Sequence, residues 1–285
     1  MLIAAVMSLT GHGINYGIDF AGGLNLQYNM GAAYDKADVE EALKAQGIEE
    51  FVVSSVGSDG TTVQIRVPTL SSEDEVQNLQ NGLESVLLEK YPDMDTDNAT
   101  ASYVGPVAGA TLVRNAVFSV LIAAALMLIY IAFRFDLFSG IAAVVGLLHD
   151  VLIMISFMVI LRNVIQMNSS FIAAMLTIVG YSINNTIVIF DRIRENNKKP
   201  ALAGQPRSEI VELSVKESLG RTINTTLTTL VTIVTLYILG VASIREFSLP
   251  IIIGILAGAY SANLINGYVW AFLEEKKRAK KAAKA

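Results

Sequence analysis

Five long runs of mostly apolar residues constrain this 285-residue chain more than any other feature of its sequence. A helix needs about 20 apolar residues to cross the roughly 30 Å of hydrocarbon in a bilayer. The runs cover 112–133, 137–161, 171–190, 222–240 and 247–273. We therefore predict a polytopic α-helical membrane protein, in which the second and fifth helices are long enough to tilt.

The N-terminal residues are also apolar, but residues 1–9 form a helix only about 14 Å long, which is too short to cross a bilayer. No basic segment precedes them, which fits a secretory signal peptide poorly. We interpret residues 1–11 as the remnant of a first transmembrane helix whose start lies outside this sequence. The alternative is a short interfacial anchor.

The composition excludes several classes of protein. Charged residues make up 16% of the chain, against about 25% in soluble domains, which excludes a disordered chain and disfavours an ordinary soluble enzyme. The absence of cysteine excludes disulfides and iron–sulfur clusters, and His12 and His149 alone cannot build a multi-histidine metal site. The sequence has no P-loop, HExxH or GxSxG motif, so we expect no catalytic residues, no metal and no ATP hydrolysis.

Residues 12–111 differ in composition and are predicted to form a separate α/β domain. They contain 16 Asp and Glu against four Lys and Arg. Strands are predicted at 24–30, 51–56, 61–67 and 96–104, and helices at 35–46 and 71–90. The order βαββαβ is typical of a ferredoxin-like unit.

Two local signals and one apolar face support this α/β prediction. The segment 57–60 is a hairpin signal between the second and third strands. Ser71 and Ser72 are candidate caps for the second helix, whose first turn is acidic. The apolar face is predicted to contain Phe51, Val53, Val63, Ile65 and Val67.

The basic residues predict how the helices are oriented. If 12–111 lies on one side and the helices alternate, 14 of the 21 Lys and Arg fall on the opposite side. They lie at Arg134, in the loop 191–221 and in the tail 274–285. The positive-inside rule makes that side cytoplasmic. Residues 12–111 are then external, and their acidic residues are predicted to form a solvated surface. The alternative is that these carboxylates contact basic segments of exported proteins.

His149 and Asp150 lie near the centre of the second span, where ionisable groups are costly and are functional hypotheses by default. A carboxylate there must pair, face water or be protonated, and an unperturbed imidazole titrates near neutral pH. Sequence neighbours point about 100° apart on a helix, so the two side chains need not touch. Two interpretations stay open: a proton-carrying or gating pair, and polar contacts between packed helices.

The third span contains Asn184 and Asn185, whose amides cannot exchange a proton near pH 7. Hydrogen bonding between helices is therefore favoured over a part in a proton pathway or gate. Asp191, Arg192 and Arg194 mark the predicted cytoplasmic boundary of this span, in a solvated extension of the helix.

Arg221 opens the fourth span, and threonines at 222, 225, 229 and 232 follow helical spacing along one face. A hydroxyl stripe that begins at an arginine could line a hydrated path. The alternative is tight packing, because threonine can bond a carbonyl of its own helix.

The fifth span carries signals for packing and for membrane depth. Gly254 and Gly258 form a GxxxG pattern, which allows close approach of two helices. Tyr268 and Trp270 are predicted interfacial anchors.

Several motifs along the chain resemble the SecF members of the SecD/SecF family. NYGIDFAGG at 15–23 resembles the segment after the family's first helix and contains Gly17, Asp19, Phe20, Gly22 and Gly23. Further similar strings are VGP at 104–106, YIAFRF at 130–135, LHDV at 148–151, GYSIN at 180–184, FDRIREN at 190–196 and SLGRT at 218–222. Together they span nearly the whole chain and are highly specific.

The resemblance implies a subunit of the bacterial Sec protein-export machinery, within the group of RND-type permeases. The family has six transmembrane helices with an external domain after the first. With SecD it uses the proton-motive force to assist late translocation, so protons are the coupling ion and no other cofactor is implied. The implied partners are SecD, the SecYEG channel, a YajC-like accessory subunit, unfolded exported polypeptide and the lipid bilayer of the inner membrane, and no nucleic acid.

One position departs from the family pattern. The family commonly has Asp after the Asn of Ser-Ile-Asn, as a proton-pathway residue, and this chain has Asn185 there. Because an amide cannot shuttle a proton, either SecD supplies the carboxylate, or Asp150 does more, or the subunit is mainly structural. Arg221 matches the family and its implied role carries over. The rival functions are half of an RND-type exporter of small molecules or lipids, and a non-transporting scaffold.

The predicted orientation is testable because the chain has no cysteine of its own. We expect Ser58→Cys to react with a membrane-impermeant thiol reagent in intact cells and Gly204→Cys to react only after the membrane is opened. The reverse labelling pattern would show that the positive-inside count assigns the wrong side.

Overall fold

The structure is a computed structural model that describes residues 1–11, 13–56, 60–68, 70, 72–162 and 165–282. The chain divides into two compact units. The membrane unit comprises Met1–Asn15, Val117–Ile165 and Ser170–Ala285. The α/β unit comprises Tyr16–Ala116 and Gln166–Ser169.

Ten α-helices and four strands follow one another in the described residues. The helices are α1 (Leu2–Leu9), α2 (Ile18–Ala21), α3 (Lys36–Ala45), α4 (Glu73–Lys90), α5 (Pro106–Arg134), α6 (Leu137–Ile160), α7 (Ser169–Asn196), α8 (Arg207–Leu239), α9 (Ala242–Ser261) and α10 (Gly267–Ala282). The strands are β1 (Gly23–Asn29), β2 (Val52–Val56), β3 (Thr62–Val67) and β4 (Asp95–Val104).

The α/β unit is built on a four-stranded antiparallel sheet in the order β2-β3-β1-β4. Burial alternates along β3, where Val63, Ile65 and Val67 are fully buried, as expected of a strand with one face on a core. Ile65 pairs with Leu26 of β1 and with Val53 of β2. Of the predicted apolar face, the four valine and isoleucine residues are buried and Phe51 is half-buried.

Side-chain caps determine where α3 and α4 begin. Asp35 accepts a hydrogen bond from the Ala37 N–H (2.9 Å), and Ser72 accepts one from the Glu75 N–H (3.3 Å). Ser72 is thus the cap of α4, while the other candidate, Ser71, lies outside the described residues, as do His12 and 57–59 of the predicted hairpin.

Asp38 links α3 to the end of α4 in the α/β unit. Its carboxylate accepts hydrogen bonds from Lys90 Nζ and Tyr91 Oη. These hydrogen bonds hold the pKa of the Asp38 carboxyl below its ordinary value, and the bond from Lys90 has a larger effect than the bond from Tyr91. This stabilisation is present above the carboxyl's unfolded-state pKa and is lost as the pH falls through its lower folded-state pKa.

The membrane unit accounts for the predicted apolar runs. Among the described residues, five helical segments are long and apolar enough to cross a membrane, so the five predicted spans within 112–273 are confirmed. They are Ala108–Arg134, Leu137–Ile160, Ser169–Asn196, Arg207–Leu239 and Ile244–Lys280.

The helical extension predicted at the end of the third span is confirmed, but the rest of the predicted loop 191–221 is wrong in its extent, because α8 begins at Arg207. Helix α7 continues to Asn196 and α8 begins at Arg207, so only 197–206 connects them, with one short 3-10 turn at Pro200–Leu202. Hydropathy marks the part of a helix that is apolar, whereas charged turns beyond the membrane remain helical until Pro or Gly interrupts them. Here two such residues precede α8: Gly204, whose φ is +91°, and Pro206.

The fifth span is a compound helix. Helix α9 runs through a π-helical segment, Ala262–Asn266, directly into α10. In a π-helical turn the hydrogen bonds span one residue more than in an α-helix, which changes the faces to which the following side chains point.

Helix α6 has a heavily buried face, whereas α5 and α8 keep large apolar side chains exposed. Fully buried side chains of α6 include Ala142, while Phe118 of α5 and Leu227 of α8 are each 55% exposed. Exposed apolar surface on long helices is typical of contact with lipid or with another transmembrane subunit.

The valines of the α/β unit provide a matched test of its core. We expect Val63→Ala to lower the free energy of unfolding by about 2 kcal/mol, because two buried methyl groups are lost and a cavity is left. Val52→Ala is the control, since Val52 lies on β2 with a relative exposure of 49%. Urea-dependent hydrogen exchange of the full chain measures both, and equal losses would contradict the core assignment.

Candidate functional site

Asp150 is the centre of a buried polar cluster in the membrane unit. Its side chain is fully buried on α6, and its Oδ2 accepts hydrogen bonds from Ser182 Oγ (2.6 Å) and Ser261 Oγ (2.9 Å). Ser182 belongs to α7 and Ser261 to α9, so side chains of three helices meet at one carboxylate. Hydroxyl donors are the groups that satisfy a carboxylate buried away from water.

His149 connects this carboxylate to the exposed side of the cluster. Its Nδ1 lies 3.0 Å from Asp150 Oδ1, so the structure brings together two neighbours that helical geometry alone does not require to touch. The imidazole is 22% exposed and stacks on Tyr260, with 5.7 Å between ring centroids. In the described part of the chain, no group of three or more His, Cys, Asp or Glu could hold a metal ion.

A second polar group lies along α7 from Ser182. Thr186 Oγ1 donates to the Ser182 carbonyl (3.1 Å) and accepts a hydrogen bond from Asn266 Nδ2 (2.7 Å). Asn266, at the end of the π-helical segment, also faces the α6 backbone, because a Cβ on Gly146 would lie only 1.9 Å from its Oδ1. The second group therefore joins α6, α7 and the continuation of α9.

The two predicted asparagines have different surroundings. Asn184 is exposed, whereas Asn185 is buried with a relative exposure of 1%. The Nδ2 of Asn185 is buried and has no hydrogen-bond partner among the described residues, which is costly for an amide donor. Only Asn185 therefore belongs to the interior of the membrane unit.

Glycine lets the α9 backbone approach α7. A Cβ on Gly254 would lie 2.4 Å from Ile178 Cγ1, and one on Gly258 would lie 3.0 Å from Ser182 Cβ. The GxxxG pattern thus faces α7, and the close approach leaves Ser182 and Ser261 within reach of the same carboxylate oxygen.

Arg221 does not join the Asp150 cluster in this chain. It is exposed on α8, and its side chain makes no hydrogen bond or ion pair within the described residues. The threonines that follow it bond carbonyls of their own helix: Thr225 donates to Arg221 O (2.8 Å) and Thr229 to Thr225 O (3.0 Å). Their hydroxyls are therefore used within α8, as in the packing interpretation.

The three predicted boundary residues all make polar contacts at the end of α7. Asp191 pairs with Arg134 (3.2 Å), and Arg194 donates to the Arg134 carbonyl (3.3 Å). Arg192 binds Glu195 and Glu217, each at 2.7 Å. These residues tie the ends of α5, α7 and α8 together.

The motif at 15–23 forms a compact turn in the α/β unit. Gly17 donates its N–H to the Met167 carbonyl (2.9 Å), and Asp19 accepts a hydrogen bond from the Ser169 N–H (2.8 Å). Phe20 lies half-buried in α2. The two residues that follow α2 need glycine: Gly22 and Gly23 have φ of +78° and +111°, and a Cβ on Gly23 would lie 2.4 Å from the Val67 carbonyl oxygen.

Comparison with known protein families agrees with these features. The family described as "Protein export membrane protein SecD/SecF, C-terminal" matches residues 84–276, and the "SecD/SecF GG Motif" matches residues 8–30. The chain belongs to the SecD/SecF family.

Individual SecF proteins are similar over most of their length. The protein translocase subunit SecF of Rickettsia bellii is 35% identical over 263 residues, which cover 92% of this chain and 84% of the relative. That of Endomicrobium trichonymphae is 36% identical over 251 residues, which cover 87% and 78%.

A solved structure is also similar. The crystal structure of SecDF, a translocon-associated membrane protein from Thermus thermophilus, matches with a TM-score of 0.78 and 35% identity over 96% of this chain. The chain spans only 36% of the length of that SecDF chain.

The SecD/SecF motifs contain part of the cluster, and sequence reasoning missed the rest. Ser182 lies inside the GYSIN string. Ser261 follows Gly254 and Gly258 at helical spacing, and this face of small residues could have predicted that Ser261 lies at a helix–helix contact. Asn266 and Gly146 carried no such signal, because their contact depends on the π-helical segment.

The Gly146 contact makes a direct prediction for stability. Gly146→Ala should cost about 1–3 kcal/mol, because a Cβ there overlaps Asn266, whose bond to Thr186 must then move. Gly180→Ala is the control, since a Cβ there meets nothing within 4 Å. Thermal unfolding of the purified chain in detergent compares them. An unchanged midpoint for Gly146→Ala would contradict the close approach.

Proposed function

We propose that this chain is a SecF-type accessory subunit of the Sec translocase that assists protein export with the proton-motive force. The observation that carries the proposal is the buried Asp150 carboxylate with its two serine donors and the adjacent imidazole. Among the described residues, Asp150 is the only Asp, Glu, Lys, Arg or His whose side chain is fully buried. Buried ionisable groups in membrane spans are typical of proton relays.

The hydrogen bonds suggest how a proton would change the packing of the helices. Ionised Asp150 accepts from both Ser182 and Ser261, which holds α7 and α9 to α6. A protonated carboxyl has a donor of its own and one fewer strong acceptor. Ser261 has a second acceptor in place, the Gly258 carbonyl at 3.3 Å, so its hydroxyl can leave Asp150 without becoming unsatisfied.

His149 is the proposed route by which the proton arrives. It is partly exposed and contacts Asp150 directly, and an imidazole can both accept and donate a hydrogen bond through its ring nitrogens. The amide of Asn185 cannot bind and release a proton near pH 7. In this subunit proton binding therefore falls to Asp150, and any second titrating carboxylate comes from SecD. Arg221, exposed on α8, is then free to face such a partner.

The remaining features of the proposal rest on the family. The strand order of the α/β unit supports a ferredoxin-like external domain, and the family resemblance supports a six-helix bundle. The SecDF neighbour supports SecD as the partner. We further propose the bacterial inner membrane as the location, SecYEG and a YajC-like subunit as neighbours, and unfolded exported polypeptide as the substrate.

A non-transporting scaffold is the second candidate function. The observation in its favour is the amide at Asn185, which is buried and whose Nδ2 finds no acceptor in the part of the chain that the structure describes. On this reading the Asp150 hydrogen bonds only hold the helices together.

Asp150→Asn separates the two candidates, because it keeps the shape and polarity of the side chain and removes titration. We expect it to abolish the uncoupler-sensitive part of export of a secreted reporter at fixed ATP. Asp191→Asn is the control, since Asp191 is a half-exposed surface partner of Arg134. Membrane levels of each variant must match, and full uncoupler-sensitive export by Asp150→Asn would favour the scaffold.

The same assay tests the departure at position 185. We expect Asn185→Asp to leave export unchanged or reduced, because the new carboxylate is buried without a partner. Asn184→Asp is the exposed control. Increased uncoupler-sensitive export by Asn185→Asp alone would show that proton coupling through Asp150 is incomplete in this subunit.

A further inference from the structure

Two adjoining cavities lie at the basic end of the membrane unit, away from the Asp150 cluster. Their volumes are about 200 Å³ and about 590 Å³, and both are lined by Asp136, Asn197 and Trp270. Asp136 precedes α6, Asn197 follows α7, and Trp270 lies in α10. The cavities therefore lie among helix ends on the side predicted to be cytoplasmic.

Cationic side chains outnumber carboxylates around these cavities. Arg194 and Lys198 line the smaller cavity, and Arg207 and Lys277 line the larger one. The opposing carboxylates are Asp136 and Glu274. The combined lining favours a ligand with negative charge.

Both carboxylates already have partners nearby. Asp136 caps α6 by accepting hydrogen bonds from the Ser139 N–H (2.9 Å) and Oγ (2.7 Å). Glu274 lies 3.9 Å from Lys277 Nζ and 3.9 Å from Arg278 Nε, on its own helix. The cap occupies the Asp136 carboxylate, and among the described residues Arg207 forms an ion pair with neither carboxylate.

Arg207 lines the larger cavity, and one of its donors has no partner in the described part of the chain. Its Nη1 donates to Asn197 Oδ1, and its backbone N–H donates to Glu275 Oε1 (3.0 Å). Its Nε is buried and has no hydrogen-bond partner among the described residues. A buried guanidinium donor without a partner is costly, and a phosphate oxyanion supplies the matching acceptor.

Aromatic side chains complete an amphipathic lining. Lys277 Nζ lies 5.0 Å from the centroid of the Phe138 ring, and Phe135 and Trp270 provide further apolar surface. Trp270, predicted as an interfacial anchor, is in fact 5% exposed and packs in the core of the unit. Cations beside aromatic rings suit a ligand that has both an anionic group and an apolar part.

We propose that these cavities bind the phosphate group of an anionic phospholipid. Free phosphate presents the same oxyanion, but the aromatic walls and the position at the ends of membrane helices favour a lipid as its source. Basic pockets between transmembrane helices on the cytoplasmic side bind acidic headgroups in this way. The lipid would join the ends of α6, α7, α8 and α10, and its binding does not depend on the transport function proposed above.

The chain carries its own reporter for this site, because Trp270 is its only tryptophan. The full chain in detergent is titrated with short-chain phosphatidylglycerol, short-chain phosphatidylcholine and inorganic phosphate while Trp270 fluorescence is followed. We expect a saturable change with phosphatidylglycerol, and binding at least about tenfold weaker for the other two. Inorganic phosphate that binds as tightly as phosphatidylglycerol would overturn the lipid assignment.

Substitutions locate the site. Arg207→Gln and Lys277→Gln should each raise the Kd for phosphatidylglycerol about tenfold, by removing one charged donor. Lys276→Gln is the matched control, because Lys276 lies over Phe272 and does not line either cavity. Lys277 is exposed enough that its substitution does not threaten folding. Equal Kd values for Lys277→Gln and Lys276→Gln, or no fluorescence change at all, would overturn the proposal.

Discussion

The membrane unit is organised around one carboxylate that has no access to water. Asp150 is fully buried within a helix of apolar residues, so its oxygens must find donors inside the protein. Ser182 and Ser261 meet this need from two other helices. The demand for donors on both neighbours determines which faces of α7 and α9 turn toward α6. Small residues follow from the same demand, because Gly258 lets Ser182 come close to α9.

The π-helical segment extends this arrangement by one more layer. It lies directly after Ser261 and ends at Asn266, which reaches Thr186 on α7 and the α6 backbone at Gly146. A regular α-helix would rotate Asn266 away from this position, since a π turn adds a residue to the turn. The two polar groups therefore lie next to each other because the π-helical segment between α9 and α10 turns Asn266 toward α6 and α7.

Charge is distributed differently in the two parts of the protein. The α/β unit holds most of the acidic residues on its surface, where Asp38 and Lys90 make an exposed pair. In the membrane unit, the Asp, Glu, Lys and Arg residues lie outside the apolar runs, apart from Asp150. At the basic end, Arg207, Asn197 and Trp270 surround a space that the apolar core does not fill. The proposed proton site and the proposed lipid site are thus in separate parts of the membrane unit.

Local sequence patterns determined the elements of this protein. Apolar runs set the five spans, and alternation and helical spacing set the strands and helices of the α/β unit, because both periods are properties of neighbouring residues. Only the tertiary structure decided the site. Ser182 and Ser261 lie 32 and 111 positions from Asp150, and their convergence depends on which helix faces meet. The early start of α8 at Arg207 and the π turn before Asn266 were equally invisible, because backbone hydrogen bonding and packing determine them rather than hydropathy.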